Sequence, residues 1–578
     1  MPTTSKPNVF IVITDDQGYG DLGCTGNPWI NTPNIDAFHD DAVRLTDFHV
    51  SPLCTPTRGA IMSGRRPVRN GAWATCWGRS ILKKDEVTMA EVFAASGYRT
   101  GMFGKWHLGD NYPYRPQDRG FQHVVAHKGG GVGQTPDFWG NNYFDDTYYH
   151  NGNSVAHEGY CTDIWFEEAM KFIEADPEAP FFTFLSTNAP HSPYLVADRY
   201  KESYRDNPDI PEPAFNGMIT NIDENFGKMR ERLTALGIED NTILIFMTDN
   251  GSSGGSELDE RQFVTTGYNA GMRGKKGSYY DGGHRVPFFI RWPAGSFEGG
   301  RDVTDMALHI DLLPTFIDLC GLQGPDDDRF DGVSLSSIIQ GEQDRLPGDR
   351  CHFVQYRQNT NPPGKWKNAV MTRRWRLVGG EELYDIQADP GQKADIAFRH
   401  PEMVEQLRNA HEAWWGEIEP HILEYAAIAI GHDEENPTKL CAMDVMGDVA
   451  WHQTHIIQAQ KSTGSWMIDV TRPGEYRFSL RRWPRELDLP IDGEVSSESA
   501  TRHVYAPDPG VCNRITPSRV SLTLFGQEQV LDMDGSVPEI TFARILRRTG
   551  TTPLEAWFHD DKGDRQGAYY VYVERVGE

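Results

Sequence analysis

Long apolar runs are missing from this 578-residue chain: none approaches the length needed to span a bilayer, which excludes a membrane-spanning helix. Basic residues are in deficit. Lys and Arg number 56 against 83 Asp and Glu, a net charge of −27. That balance disfavours nucleic acid and anionic membrane as partners and offers a long polyanion no overall attraction, although local basic pockets are compatible with it. Cysteines are few and lack paired spacing: the eight at 24, 54, 76, 161, 320, 351, 441 and 512 form no disulfide framework and fit a reducing compartment. No n-region, h-region and cleavage site fit before the apolar run Val9–Ile13, so the sequence as given is not expected to open on a leader. A cytoplasmic protein is therefore expected; a signal already removed would make it secreted or periplasmic.

What is present indicates several folded parts, because 578 residues exceed what one hydrophobic core organises. Short continuous β-branched or aromatic runs at 8–14, 181–185 and 242–247 read as strands buried on both faces. Between them come helical patterns. One starts at the capping box Thr88–Glu91, one covers 162–175, and one carries Met218, Ile222, Phe226, Met229, Leu233 and Leu236 as a single apolar stripe closed by Gly237. The alternation predicts an α/β protein with a large, mostly parallel, doubly wound sheet.

Polar residues follow the strands. Asp15 and Asp16 come after the first and Asp249 and Asn250 after 242–247, at the carboxyl ends where open α/β sheets place ligands. Together they make an oxygen-only donor set, which favours Ca2+ or Mg2+ over zinc. His191 follows 181–185 in a Pro-stiffened turn, and Lys105 and His107 would point the same way on an extended backbone. Residues 110–160, rich in Gly, Asn, Asp and aromatics, are expected to form a long loop shaping a cleft; Trp73, Trp77 and 129–150 are candidates for its wall.

The centre of the chain is Cys54-Thr-Pro-Thr-Arg58-Gly-Ala-Ile-Met-Ser-Gly-Arg65, where a helix can open with Thr55 as cap and Pro56 in its first turn. Arg58 would share a face with Cys54. The other seven cysteines read as small buried apolar residues. This block, with Gly104-Lys105-Trp106-His107-Leu108-Gly109 and the Gly-rich basic segment 271–287, resembles the signatures of the type I sulfatases, members of the alkaline phosphatase superfamily.

The resemblance implies that Cys54 is oxidised to formylglycine by a formylglycine-generating enzyme, and that its hydrate attacks the sulfur of a sulfate monoester. Asp15, Asp16, Asp249, Asn250 and residue 54 would hold Ca2+, with Mg2+ or Mn2+ as alternatives. By the same resemblance Lys105 and Lys276 hold the sulfate, His191 is the acid for the leaving oxygen, His107 the base that breaks the sulfated intermediate, and Arg58 steadies the diol. Asn250 in place of His favours sulfate esters over the alternative, a phosphonate or phosphodiester hydrolase. A non-catalytic glycan-binding protein is a further alternative of another class. His284 is given no role, and a homo-oligomer is left open.

The expected division is a catalytic α/β part over 1–350, a small antiparallel sheet with a helix near 400–428 over 351–430, and a β-sandwich over 431–578. The acidic stretch His432–Pro437 reads as the linker before the sandwich.

Overall fold

The computed structural model describes residues 6–577 apart from 296, 298, 326–328, 356, 360–362 and 497–511. Its largest element is a ten-stranded sheet. Five parallel strands form the centre in the order Thr242–Thr248, Asn8–Thr14, Phe181–Ser186, Arg99–Lys105 and His123–His127. Antiparallel pairings extend it, with Phe288–Arg291 beside Thr242–Thr248 and Thr147–His150 beside His123–His127.

The strand Asn8–Thr14 shows why continuous apolar runs were needed. Val9, Ile11 and Ile13 enter one core with Met89, Val92 and Phe93 of the helix Met89–Ala95 and Phe316 of Leu312–Cys320. Phe10 and Val12 face the other core, against Cys161–Glu174 and Pro213–Ala235. Helices thus cover both faces. The stripe Met218, Ile222, Phe226, Met229 and Leu233 is buried as its period requires.

A four-stranded antiparallel sheet, His352–Gln355 to Glu382–Asp385, follows, covered by Pro401–Ile418 through Val404 and Leu407. The helix expected to reach 428 stops at Ile418. Pro420 supplies no N–H and forces a tight turn over Glu419–His421.

The last part is a sandwich of two sheets around one core. His432–Pro437 is not a linker. It joins the strands Ile428–Ile430 and Thr438–Cys441, which belong to the two different sheets. Two of its three acids are engaged: Asp433 pairs with Arg472 at 2.6 Å, and Glu435 accepts the backbone N–H of Tyr112 at 2.8 Å. The sandwich core also takes in Cys76, Ile81, Tyr114 and Trp139 from the first part of the chain. No helix among the described residues is long and apolar enough to cross a membrane.

Candidate active site

Parallel register sets Thr14 beside Thr248, so the two acidic turns leave the sheet side by side. The Asp16 N–H donates to Asp249 Oδ1 at 3.0 Å. Asp16 takes its turn at φ 69, a left-handed conformation that Asp tolerates better than most residues.

Cys54 opens the helix Cys54–Ser63, all ten residues of which are buried. Thr55 does not cap it. The N-cap position is Leu53, and Thr55 Oγ1 donates instead to the His107 carbonyl at 3.2 Å, tying the helix head to the loop after Lys105. Arg58, one turn on from Cys54, joins three strand ends. Its Nε and Nη2 donate to Asp249 Oδ2 at 3.1 and 2.8 Å, and its Nη1 to the Lys105 carbonyl at 3.1 Å and to the Ser186 hydroxyl. Lys105 and His107 do not share an extended backbone, because His107 sits at φ 58. Lys105 Nζ meets Asp15 Oδ2 at 2.6 Å, whereas His107 Nε2 meets the Thr75 carbonyl at 2.9 Å.

Cations and carboxylates alternate in three pairs: Lys105 with Asp15, Lys276 with Asp16, and Arg58 with Asp249. Burial alone would raise Asp16, but Lys276, His191 and Lys105 outweigh it and hold the carboxyl below its usual range. Asp249 goes the other way, pushed by burial and then by Asp15 to about 6. Burial drives the Cys54 thiol up to about 12 against the pull of Lys105 and Lys276, so at neutral pH it is neither a thiolate nor a competent nucleophile. Burial and Lys105 keep His107 neutral, well below 6.5. Its Nε2 faces a carbonyl and so carries the proton; Nδ1 is buried with its lone pair unused. Burial also lowers His191, to about 4, although Asp16 pulls it up. Its Nδ1 faces the Ser192 carbonyl, leaving Nε2 3.7 Å from Asp16 Oδ2.

Asp15, Cys54 and Asp249 each bring one ligand atom within 4.8 Å of the others. The Oδ1 atoms of Asp15 and Asn250 are buried with no hydrogen-bond partner. Buried acceptors are costly unless a donor or cation takes their lone pairs. With oxygen in place of Sγ at residue 54, every donor would be a hard oxygen, the set that Ca2+ or Mg2+ requires. Asp16 is the member already engaged on both oxygens, by Lys276 Nζ at 2.6 and 2.7 Å and by Asn250 Nδ2 at 2.9 Å. The residues fit a divalent cation that shares Asp16 with Lys276.

A cleft of about 300 Å³ opens over Cys54, bordered by His107, His191 and Lys276. A second cavity, of about 240 Å³ between His127 and Glu435, holds none of these groups. Trp77 and the 129–150 loop, through Gly130 and Gln134, do line the first cleft. Trp73 does not; it is buried with Trp414 and Trp415. Cys76 is buried as expected but also borders the cleft beside Cys54. His284 bonds through Nδ1 to His49 Nδ1 at 3.0 Å, and Asp281 accepts from Arg376 Nε at 2.9 Å, which anchors the loop bearing Lys276 to the small sheet.

Sequence reasoning missed Thr75, Ser186, Gln358 and Trp451, which hold site residues or line the cleft. None stands in a motif. Their role comes from folding distant segments together.

Comparison with known proteins gives two matching family models, Sulfatase over residues 7–322 and N-sulphoglucosamine sulphohydrolase, C-terminal, over 274–414. An arylsulfatase of Hemicentrotus pulcherrimus is 30% identical over 416 residues, 67% of this chain and 71% of that protein. Arylsulfatase A of Homo sapiens is 30% identical over 464 residues, 71% of this chain and 87% of its own. Among solved structures, Ps i-CgsB superposes with TM-score 0.63 at 26% identity, over 71% of this chain and 93% of the other. A family model spanning more than half of the residues, and relatives at this identity and coverage, make the chain a member of the sulfatase family and a hydrolase of sulfate monoesters.

Proposed function

We propose that the sulfate monoester is cleaved at residue 54, converted from cysteine to formylglycine by a formylglycine-generating enzyme, with one Ca2+ held by Asp15, Asp16, Asp249, Asn250 and residue 54. Membership of the family implies a metal and formylglycine; the hard oxygen donors add the choice of Ca2+, with Mg2+ or Mn2+ as alternatives. One observation carries the proposal: two buried, unpartnered Oδ1 atoms, on Asp15 and Asn250, stand in the same constellation as the Asp15, Cys54 and Asp249 trio. When present, the hydrated aldehyde supplies a nucleophilic oxygen and the second hydroxyl that cysteine and serine lack, while the cation lowers that oxygen's pKa and draws charge from sulfate.

The chain's own groups do the rest. Lys105 and Lys276, now paired with Asp15 and Asp16, hold the sulfate oxygens and offset the charge that grows on the leaving oxygen. Arg58 fixes Asp249 by two hydrogen bonds, which orients that carboxylate to take a proton from the attacking group. His191 delivers a proton at Nε2 to the leaving oxygen. It is neutral in the free enzyme, and a bound sulfate anion beside it raises its proton affinity. His107 accepts a proton at its unpartnered Nδ1.

The test is the mass of the peptide containing residue 54 in active protein. A loss of about 18 Da relative to cysteine, the thiol-to-aldehyde change, is expected; an unmodified thiol in fully active protein would overturn the proposal.

A further inference from the structure

The cleft over residue 54 is built from three remote parts of the chain, and its composition bears on what leaves with the sulfate ester's oxygen. Gln134 comes from the catalytic part, Gln358 from the start of the small subdomain, and Trp451 from the β-rich part, with Trp77 beside them. Both glutamines are held by their oxygens. Gln134 Oε1 accepts from the Gly130 N–H at 2.7 Å; Gln358 Oε1 accepts from the Thr75 N–H at 3.3 Å and from its hydroxyl at 2.8 Å. Those bonds settle which end of each amide is oxygen. Neither Nε2 has a hydrogen-bond partner among the described residues, so each glutamine brings a free amide donor to a cleft it lines.

The Trp451 backbone is fixed in place. Its carbonyl accepts the Thr135 N–H at 3.1 Å; Gln453 Nε2 donates to the Gln134 and Phe138 carbonyls at 3.2 and 3.1 Å; and Tyr570 Oη donates to the Thr135 carbonyl at 3.0 Å. The β-rich part therefore grips the loop that carries Gln134 and brings Trp451 to the same cleft.

Resting on the sulfatase reading of residue 54, we infer that this cleft is a subsite for one hydroxylated sugar ring, so that the substrate is a sulfated pyranose and Trp451 a residue that sets specificity. A phenol has no hydroxyl besides the esterified one for two amide N–H groups to address, whereas a pyranose offers several on neighbouring carbons. Indole faces suit the C–H face of such a ring while its hydroxyls turn to the amides. The volume, about 300 Å³, accommodates a single ring and its sulfate rather than a length of polymer.

The experiment uses full-length enzyme with formylglycine verified at residue 54. kcat/KM is measured on a panel of monosulfated hexoses and N-acetylhexosamines and on 4-nitrophenyl sulfate. At least one sugar sulfate is turned over, and Trp451→Ala and Gln358→Leu each lower the ratio of sugar to nitrophenyl kcat/KM by about tenfold, mainly through KM, with Trp451→Phe recovering most of the loss. Two variants from separate parts of the chain keep the test open if one of them misfolds. A ratio unchanged in both, or nitrophenyl turnover with no sugar sulfate hydrolysed, overturns the inference while leaving the chemistry at residue 54 intact. Wild-type enzyme that hydrolyses neither ester overturns that chemistry too, and shows it before any variant is made.

Discussion

Cys54 as a thiol is poorly placed to react, since burial holds its proton to about pH 12, and under the proposal above the surrounding charges serve an oxygen at that position. His191 tests the division of labour. In His191→Ala, kcat should fall by about 10² to 10⁴ for alkyl or sugar sulfates and far less for 4-nitrophenyl sulfate, whose leaving group needs little protonation. Equal losses across a series of leaving groups would refute the acid role. Exhaustive chelation should abolish turnover and Ca2+ should restore it; rescue by Zn2+ alone would contradict an oxygen donor set. At this scale much was legible, because Asp15, Asp16, Lys105, Asp249 and Asn250 directly follow or end buried strands. Thr75 and Ser186 were not, for a hydroxyl or carbonyl that steadies a neighbour leaves no mark of spacing.

Among the elements, the 129–140 loop governs more than its composition indicated. Gly130 packs on the His107 ring so closely that an added Cβ would lie 2.2 Å from Cε1 and 2.4 Å from Nε2. Gly130→Ala should therefore displace the imidazole and lower kcat by about 10- to 100-fold with little change in thermal stability. A wild-type kcat would show that His107 moves aside without consequence. The strands and helices around the large sheet were readable from periodicity, as Asn8–Thr14 illustrates with alternate residues in two cores. Capping by Thr55 and an extended Lys105–His107 were misread because tertiary bonds, from Thr55 to the His107 carbonyl and from His107 to Thr75, overrode local preference. The acidic segment at 432–437 looked like a linker for a related reason: sequence alone did not reveal that Arg472 and the Tyr112 N–H would meet its carboxylates.

For the whole molecule, buried neutral histidines set how stability responds to acid. His284 and His309 are each pushed by burial to about 3; Asp281 pulls His284 up and His49 pushes it down, a hydrogen bond with the His49 backbone pulls His309 up, and His309 Nε2 bonds Ser51 Oγ at 3.1 Å. Both stay neutral in the fold yet would bind protons once unfolded below about pH 6.5. Their contribution to stability is complete above that pH and declines as pH falls from 6.5 towards 3, by up to about 1.4 kcal/mol per pH unit for each. His309→Gln should remove about one proton from that slope in denaturant titrations between pH 6 and 4, and an unchanged slope would refute it. The sandwich was legible as alternating strands, but its place against the catalytic part was not, since Cys76 and Trp139 join its core from hundreds of residues away. That shared construction has a consequence in time. The bond from Tyr570 to Thr135 spans 435 residues, so at ribosomal rates of about 5–20 residues per second the loop emerges roughly 20–90 s before the strand that fastens it. During that interval the wall over residue 54 is unfinished, and a nascent chain exposes to other proteins a position that the completed molecule buries.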